Sequence, residues 1–263
     1  MTSTGRHPRT VLITGASRRI GRALASDFAR RGWRVGIHYR RSRAEAEALA
    51  AQLRSFGTDA EVLPGNLAVA ADVDALVPHC REALGPPICL VNNASEFRFD
   101  SATTMTSQSW DLHLDVNLKA AVFLAQAMSS HLPDNQEGNV INIIDQRVWN
   151  PTPKFFSYTI SKAGLWTATR LLAQALAPRV RVNAIGPGPV LPSIHQRPED
   201  FETEKTSTLL RRGTTPEEIA AAVRFILDAP AMTGQMIALD GGQHLTWCNA
   251  DSTERQAGAA AKP

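Results

Sequence analysis

Short β-rich apolar runs recur along the chain, and between them apolar residues return every three or four positions. "TVLITG", "WRVGIHY", "AEVLPGN", "ICLVNNAS", "NVINIID", "RVRVNAIGPG" and "GQMIALDGG" read as strands. After the first of these, Ile20, Leu24 and Phe28 fall four apart and Gly32 stops the pattern, which predicts a helix. Residues 43–57 and 69–85 are likewise helical and close on glycine. A long helical region is predicted over Ser109–His131, with Leu112, Val116, Ala120 and Phe123 on one face, and another over Phe155–Leu176. Thr215-Pro216-Glu217-Glu218 is a strong opening for the last helix. Strands and helices that alternate in this way predict one α/β domain, a doubly wound parallel sheet flanked by helices on both faces. The reading places that domain at 9–248, after a flexible N-terminus (1–8) and before a small, polar, disordered tail (249–263). Residues 190–212, rich in proline and charge, follow the carboxyl end of a strand, where ligands bind in such sheets, and read as a substrate lid. His195, Phe201 and Leu209 are its candidate contacts.

Composition narrows the class. The chain has 263 residues, 43% hydrophobic and 20% charged, as an ordinary globular protein does. No apolar stretch reaches the length of a membrane span, and the N-terminus has no secretory apolar core, so a cytoplasmic protein is expected. Cys80, Cys89 and Cys248 are odd in number and far apart, with no metal-ligand spacing, so no metal and no disulfide framework is expected. Between Met1 and Arg43 the only acid is Asp27, against a series of arginines that includes Arg18, Arg19, Arg22, Arg40 and Arg41. Without aromatic interleaving or a recognition motif, this points away from nucleic acid and towards a small molecule bearing phosphate.

The chemistry begins at "TGASRRIGR". Gly15 and Gly21 on a strand-to-helix turn permit close approach of backbone N–H groups to a pyrophosphate, with Ser17, Arg18, Arg19 and Ile20 completing the turn. At the end of the second strand stand His38, Tyr39, Arg40, Arg41 and Ser42, with no acid to hold a ribose hydroxyl. Cations and a hydroxyl there suit a 2′-phosphate, which makes NADPH the expected cofactor. Tyr158 and Lys162 lie four apart on one helix face, just after a strand that ends in Asp145. A phenol ordinarily ionises near pH ~10, and a neighbouring ammonium is expected to lower that value and make Tyr158 a usable acid.

These residues, in order and separation, resemble the short-chain dehydrogenases/reductases: Thr14-Gly15 with Gly21, "NNAS" at Asn92 to Ser95, Asn117, Tyr158-x-x-x-Lys162 and "GPG" at Gly186 to Gly188, over about residues 9 to 247. The resemblance implies a Rossmann-type fold. It implies Tyr158 as acid, Lys162 on the nicotinamide ribose and Asn117 supporting a relay water. It also implies cofactor contacts from Asn66, Leu67, Asn93, Ala94, Ser95, Pro187 and Gly188, and a homotetramer built on the two long helices. Two departures, Arg19 where the family usually has glycine and Asp145 where it usually has serine, resemble the pteridine reductase branch. There Arg19 would span the cofactor phosphates and the pterin, Phe97 would stack on the ring, Ser95 would hydrogen-bond it, and Asp145 would join Tyr158 in proton transfer. Two alternatives stay open: an NADPH-dependent reductase of a 3-oxoacyl thioester or sugar ketone, and a non-catalytic NADPH-binding regulator.

Overall fold

The computed structural model describes residues 9–192 and 196–246; the expectations placed on residues 1–8, His195, Cys248 and the 249–263 tail lie outside these. Strands β1 (Thr10–Ile13), β2 (Arg34–Tyr39), β3 (Ala60–Pro64), β4 (Pro87–Asn92), β5 (Gly138–Ile143), β6 (Val180–Pro187) and β7 (Met236–Leu239) form a single sheet in the order β3-β2-β1-β4-β5-β6-β7. Every pairing is parallel. Parallel neighbours need crossover connections, which here carry helices α1 (Arg19–Arg30), α2 (Arg43–Arg54), α3 (Ala70–Leu84), α4 (Ser107–Leu114), α5 (Ala120–His131), α6 (Phe156–Ala175) and α8 (Pro216–Asp228). One core layer joins α1, α2 and α8 to a sheet face through Leu24, Phe28, Leu49, Leu53, Val223 and Ile226. The other joins α3 and α5 to the opposite face through Leu76, Val77, Leu124 and Met128. Sheltered on both sides, the central strands carry near-continuous apolar runs such as Val11-Leu12-Ile13. The winding reverses between β1 and β4, and the crevice opened at their carboxyl ends is where such a sheet binds ligands.

The helix predicted over Ser109–His131 is not continuous. A π-turn, Asp115–Lys119, separates α4 from α5. The extra residue in such a turn rotates everything after it. Val116 and Ala120 are buried, but Phe123, predicted on the same face, is 47% exposed, and Leu124 and Met128 fill the core instead. The 190–212 segment also differs from an irregular lid, since it contains a short helix, α7 (Pro198–Thr206), which buries Phe201 while Leu209 stays exposed. No helix among the described residues is long and apolar enough to cross a membrane.

Candidate active site

The turn between β1 and α1 is built on two glycines, each at a position that disfavours a side chain. Gly15 has φ +62°, and a Cβ on Gly21 would lie 2.3 Å from the Gly15 carbonyl oxygen and 2.7 Å from Asn93 Nδ2. Asn93 ties this turn to the end of β4 by donating to the Thr14 and Gly15 carbonyls at 2.9 and 3.1 Å. Ala94 lies against Gly15 and donates its N–H to the Thr14 hydroxyl. At the start of α1, Arg18 stands as N-cap without a capping side-chain bond, and no acid occupies the first turn. The orphan N–H groups are thus left for a ligand's phosphates, and the packed glycines leave room for close backbone approach.

Arg19 has φ +55°, the left-handed conformation that favours glycine. Its guanidinium donates to the Pro192 and Leu191 carbonyls at 2.7 and 3.0 Å, tying the phosphate loop to the start of the 190–212 segment. Arg18 turns outward to pair with Glu45 at 3.3 Å. Ile20 packs against the α1 core layer.

At the end of β2 the predicted phosphate corner divides into scaffold and surface. His38 is buried; Gly15 N–H donates to its Nδ1 at 3.0 Å, so its Nε2 carries the proton towards the Gly65 carbonyl at 3.1 Å. Burial holds its pKa down to about 4. His38 is therefore a neutral strut under the turn rather than a ligand contact. Tyr39 and Leu67 are likewise core residues, and the Asn66 side chain accepts from Ala68 N–H within its own loop. The Ser17 and Ser42 hydroxyls share a hydrogen bond of 2.7 Å, and Arg40 is paired with Glu96, which follows β4. Arg41 is exposed and makes no ion pair among the described residues.

On the other side of the crevice, Asp145 lies just beyond β5, with Oδ1 accepting from Arg147 N–H at 2.9 Å and Oδ2 from the Tyr158 hydroxyl at 2.8 Å. Lys162, one turn along α6 from Tyr158, is buried and donates to the Ile143 carbonyl at 2.9 Å. Burial raises the pKa of Asp145. Burial, reinforced by the Asp145 carboxylate, raises that of Tyr158 well above the ordinary phenol value. The lowering expected from Lys162 is thus overturned: the ammonium lies 5.8 Å from the ring centroid and is engaged by a carbonyl, while the carboxylate touches the hydroxyl itself. Burial also lowers the pKa of Lys162, to about 8. The arrangement holds a proton between a phenol and a carboxylate at the edge of the crevice.

Phe97 stacks on Phe155 with ring centroids 4.3 Å apart and meets Tyr158 edge-on at 4.7 Å. Ser95 turns its hydroxyl to Asn117 Oδ1 at 3.2 Å. Asn117, in the π-turn, also accepts from Glu96 N–H at 2.8 Å and donates to the Glu96 carbonyl and the Ser161 hydroxyl, both at 3.0 Å. Its side-chain amide thus acts as a staple between the strand-end loop and α6. Gly188 is forced by packing, since a Cβ there would lie 2.7 Å from Asp240 Cα; Pro187 ends β6, buried beside it.

Sequence reasoning missed a buried cluster behind Tyr158. The carboxylate of Asp100 accepts from the N–H and hydroxyl of Ser157 and from the Ser109 hydroxyl. His113 accepts Arg98 N–H on Nε2 at 3.1 Å, so its Nδ1 donates to the Ser157 hydroxyl at 2.7 Å. Phe155, the N-cap residue of α6, has no capping side chain and a φ of 56°. Asp100 supplies from a distance the cap that the local residue cannot. Nothing periodic marks such a pairing, although a lone acid in "FRFD" is the kind of residue that needs a buried partner.

The chain belongs to the short-chain dehydrogenase/reductase family and is an oxidoreductase of that class: the family model described as enoyl-(acyl carrier protein) reductase matches residues 15–244. Among solved structures it is similar to the FolM alternative dihydrofolate reductase 1 of Brucella canis complexed with NADP, at 50% identity and a TM-score of 0.90, over 93% of this chain and 97% of that one. The FolM protein of Brucella suis, also in complex with NADP, gives 50% identity and a TM-score of 0.90 over 92% and 98%. Among curated proteins it is 32% identical to the 3-oxoacyl-(acyl-carrier-protein) reductase of Synechocystis sp., over 89% of this chain and 96% of the relative.

Proposed function

We propose that this protein is an NADPH-dependent reductase of a pteridine, with dihydromonapterin and dihydrobiopterin as leading substrates and dihydrofolate behind them, acting as a homotetramer. The observation that carries the reading is the hydrogen bond of 2.8 Å from the buried Tyr158 to the part-buried Asp145, beside the buried Lys162. The residues of the crevice fit the dinucleotide. The Gly15–Gly21 turn and the uncapped start of α1 would hold the pyrophosphate, Arg40, Arg41, Ser42 and Ser17 the 2′-phosphate, and Lys162 the nicotinamide ribose. When bound, that cofactor supplies a hydride to the C=N carbon of a dihydropterin. Tyr158 then delivers its proton to the adjoining ring nitrogen, and Asp145 holds the phenol in place and takes part in its reprotonation. A carboxylate also matches the amino-pyrimidine edge of a pterin, and Phe97 offers an aromatic face to the ring. Positioning of the two rings supplies much of the rate.

The 50% identity to two FolM reductases supports this reading. The 3-oxoacyl reductase relative favours a second one, reduction of an acyl thioester ketone. A carboxylate at Asp145 opposes it, because it would repel the charge developing on a ketone oxygen. The test is loss of NADPH absorbance with dihydrobiopterin or with an acetoacetyl thioester. The expected result is turnover of the pterin, reduced at least about a hundredfold in Tyr158→Phe. Turnover of the thioester alone would replace this reading with the second, and dinucleotide binding without turnover of either would point to a regulator.

A further inference from the structure

The Arg40–Glu96 ion pair crosses the crevice. Arg40 extends from the end of β2, next to the Ser17–Ser42 contact and the His38 strut. Glu96 stands just past β4, between Ser95 and Phe97, and its backbone is fixed on both sides by Asn117 at 2.8 and 3.0 Å. Its carboxylate is held between Arg40 and Arg98, the latter 3.5 Å away, and its side chain is only 13% exposed. The arginine placed to receive a ribose 2′-phosphate is therefore already engaged by an anion, one anchored in the loop that carries the proposed substrate contacts.

We propose that Glu96 is a specificity-determining residue, which competes with the 2′-phosphate of the dinucleotide for Arg40 and so sets how strongly the protein prefers the phosphorylated cofactor. This rests on the NADPH reading above. The sign follows from charge alone. A 2′-phosphate brought to this corner meets the Glu96 carboxylate as a like charge, and it must share or displace Arg40. A dinucleotide without that phosphate makes no demand on Arg40 and is indifferent to Glu96. Arg98 keeps the carboxylate paired when Arg40 turns away, so the exchange leaves no bare charge in a nearly buried place. Because Asn117 fixes the Glu96 backbone, the competition is confined to the Arg40 side chain.

Calorimetric titration of the wild-type chain and of Glu96→Gln with NADP+ and with NAD+ tests this. Wild-type protein is expected to bind NADP+ the tighter. Glu96→Gln is expected to tighten NADP+ binding by about fivefold, the scale of one partly screened charge, and to leave NAD+ unchanged. In Arg40→Ala/Glu96→Gln the gain over Arg40→Ala is expected to be smaller than the gain in the Arg40 background, since only the direct repulsion is then relieved. A Glu96→Gln variant that weakens NADP+, or moves both dinucleotides equally, overturns the inference while the wild-type preference still supports the cofactor reading. A wild-type chain with no preference for NADP+ overturns both.

Discussion

Tyr158 donates to Asp145, and burial of the phenol against that carboxylate raises its pKa well above the ordinary value, so the hydroxyl keeps its proton across the neutral range. The residue types and their spacing were readable in the sequence; the direction of the Tyr158 shift was not, because it depends on which charge touches the hydroxyl. His38 makes the same point more sharply. Its position beside Arg40 and Arg41 suggested a ligand contact, but its register on β2 turns it inward, under the phosphate turn. A histidine held neutral with a pKa near 4 has a lower affinity for protons folded than unfolded, so stability is complete above pH ~6.5 and lost as pH falls towards 4. Urea unfolding at pH 7 and pH 5 is expected to show a loss of about 2 kcal/mol attributable to this residue. His38→Gln, which keeps a side-chain hydrogen-bonding group without a titrating ring, is expected to flatten that slope; an unchanged slope would remove His38 as its source.

At the scale of elements, the strands, the glycine turns and the capping box of α8, where Thr215 and Glu218 bond reciprocally, follow from local sequence and were legible. What was not legible is what joins elements far apart in the chain. The π-turn at Asn117, which rotates Phe123 to the surface, is the first case, and the capping of α6 by Asp100 is the second. Because α6 carries both Tyr158 and Lys162, its first turn must be held while Phe155 stays in a left-handed conformation. Asp100→Ala is expected to destabilise the protein by about 1–3 kcal/mol, the value of a lost cap with a buried hydroxyl donor left without its acceptor. It is also expected to lower kcat more than it raises KM for the dinucleotide, since the phosphate turn is built on other elements. Chemical denaturation and steady-state kinetics check both. An undiminished kcat in the folded variant would mean that α6 holds its active-site register without Asp100.

For the whole molecule, α5 and α6 present Phe123 and Leu171 to the surface at 47% and 58% exposure, and α8 presents Phe225 at 60%. Apolar residues on long helices of this kind are suited to subunit contacts. Light scattering is expected to give a tetramer, and Phe225→Glu to reduce it to a smaller species; a wild-type monomer would contradict the assembly. The sheet, the crevice and the proposed catalytic pair converge on one substrate question, whether the carboxylate at Asp145 commits the site to a pteridine. The most direct measurement compares Asp145→Ser with wild type on dihydrobiopterin and on an acetoacetyl thioester, both with NADPH. The account predicts that kcat/KM for the pterin falls at least about a hundredfold while that for the thioester does not fall. A variant that reduces the pterin as well as the wild type does would contradict it.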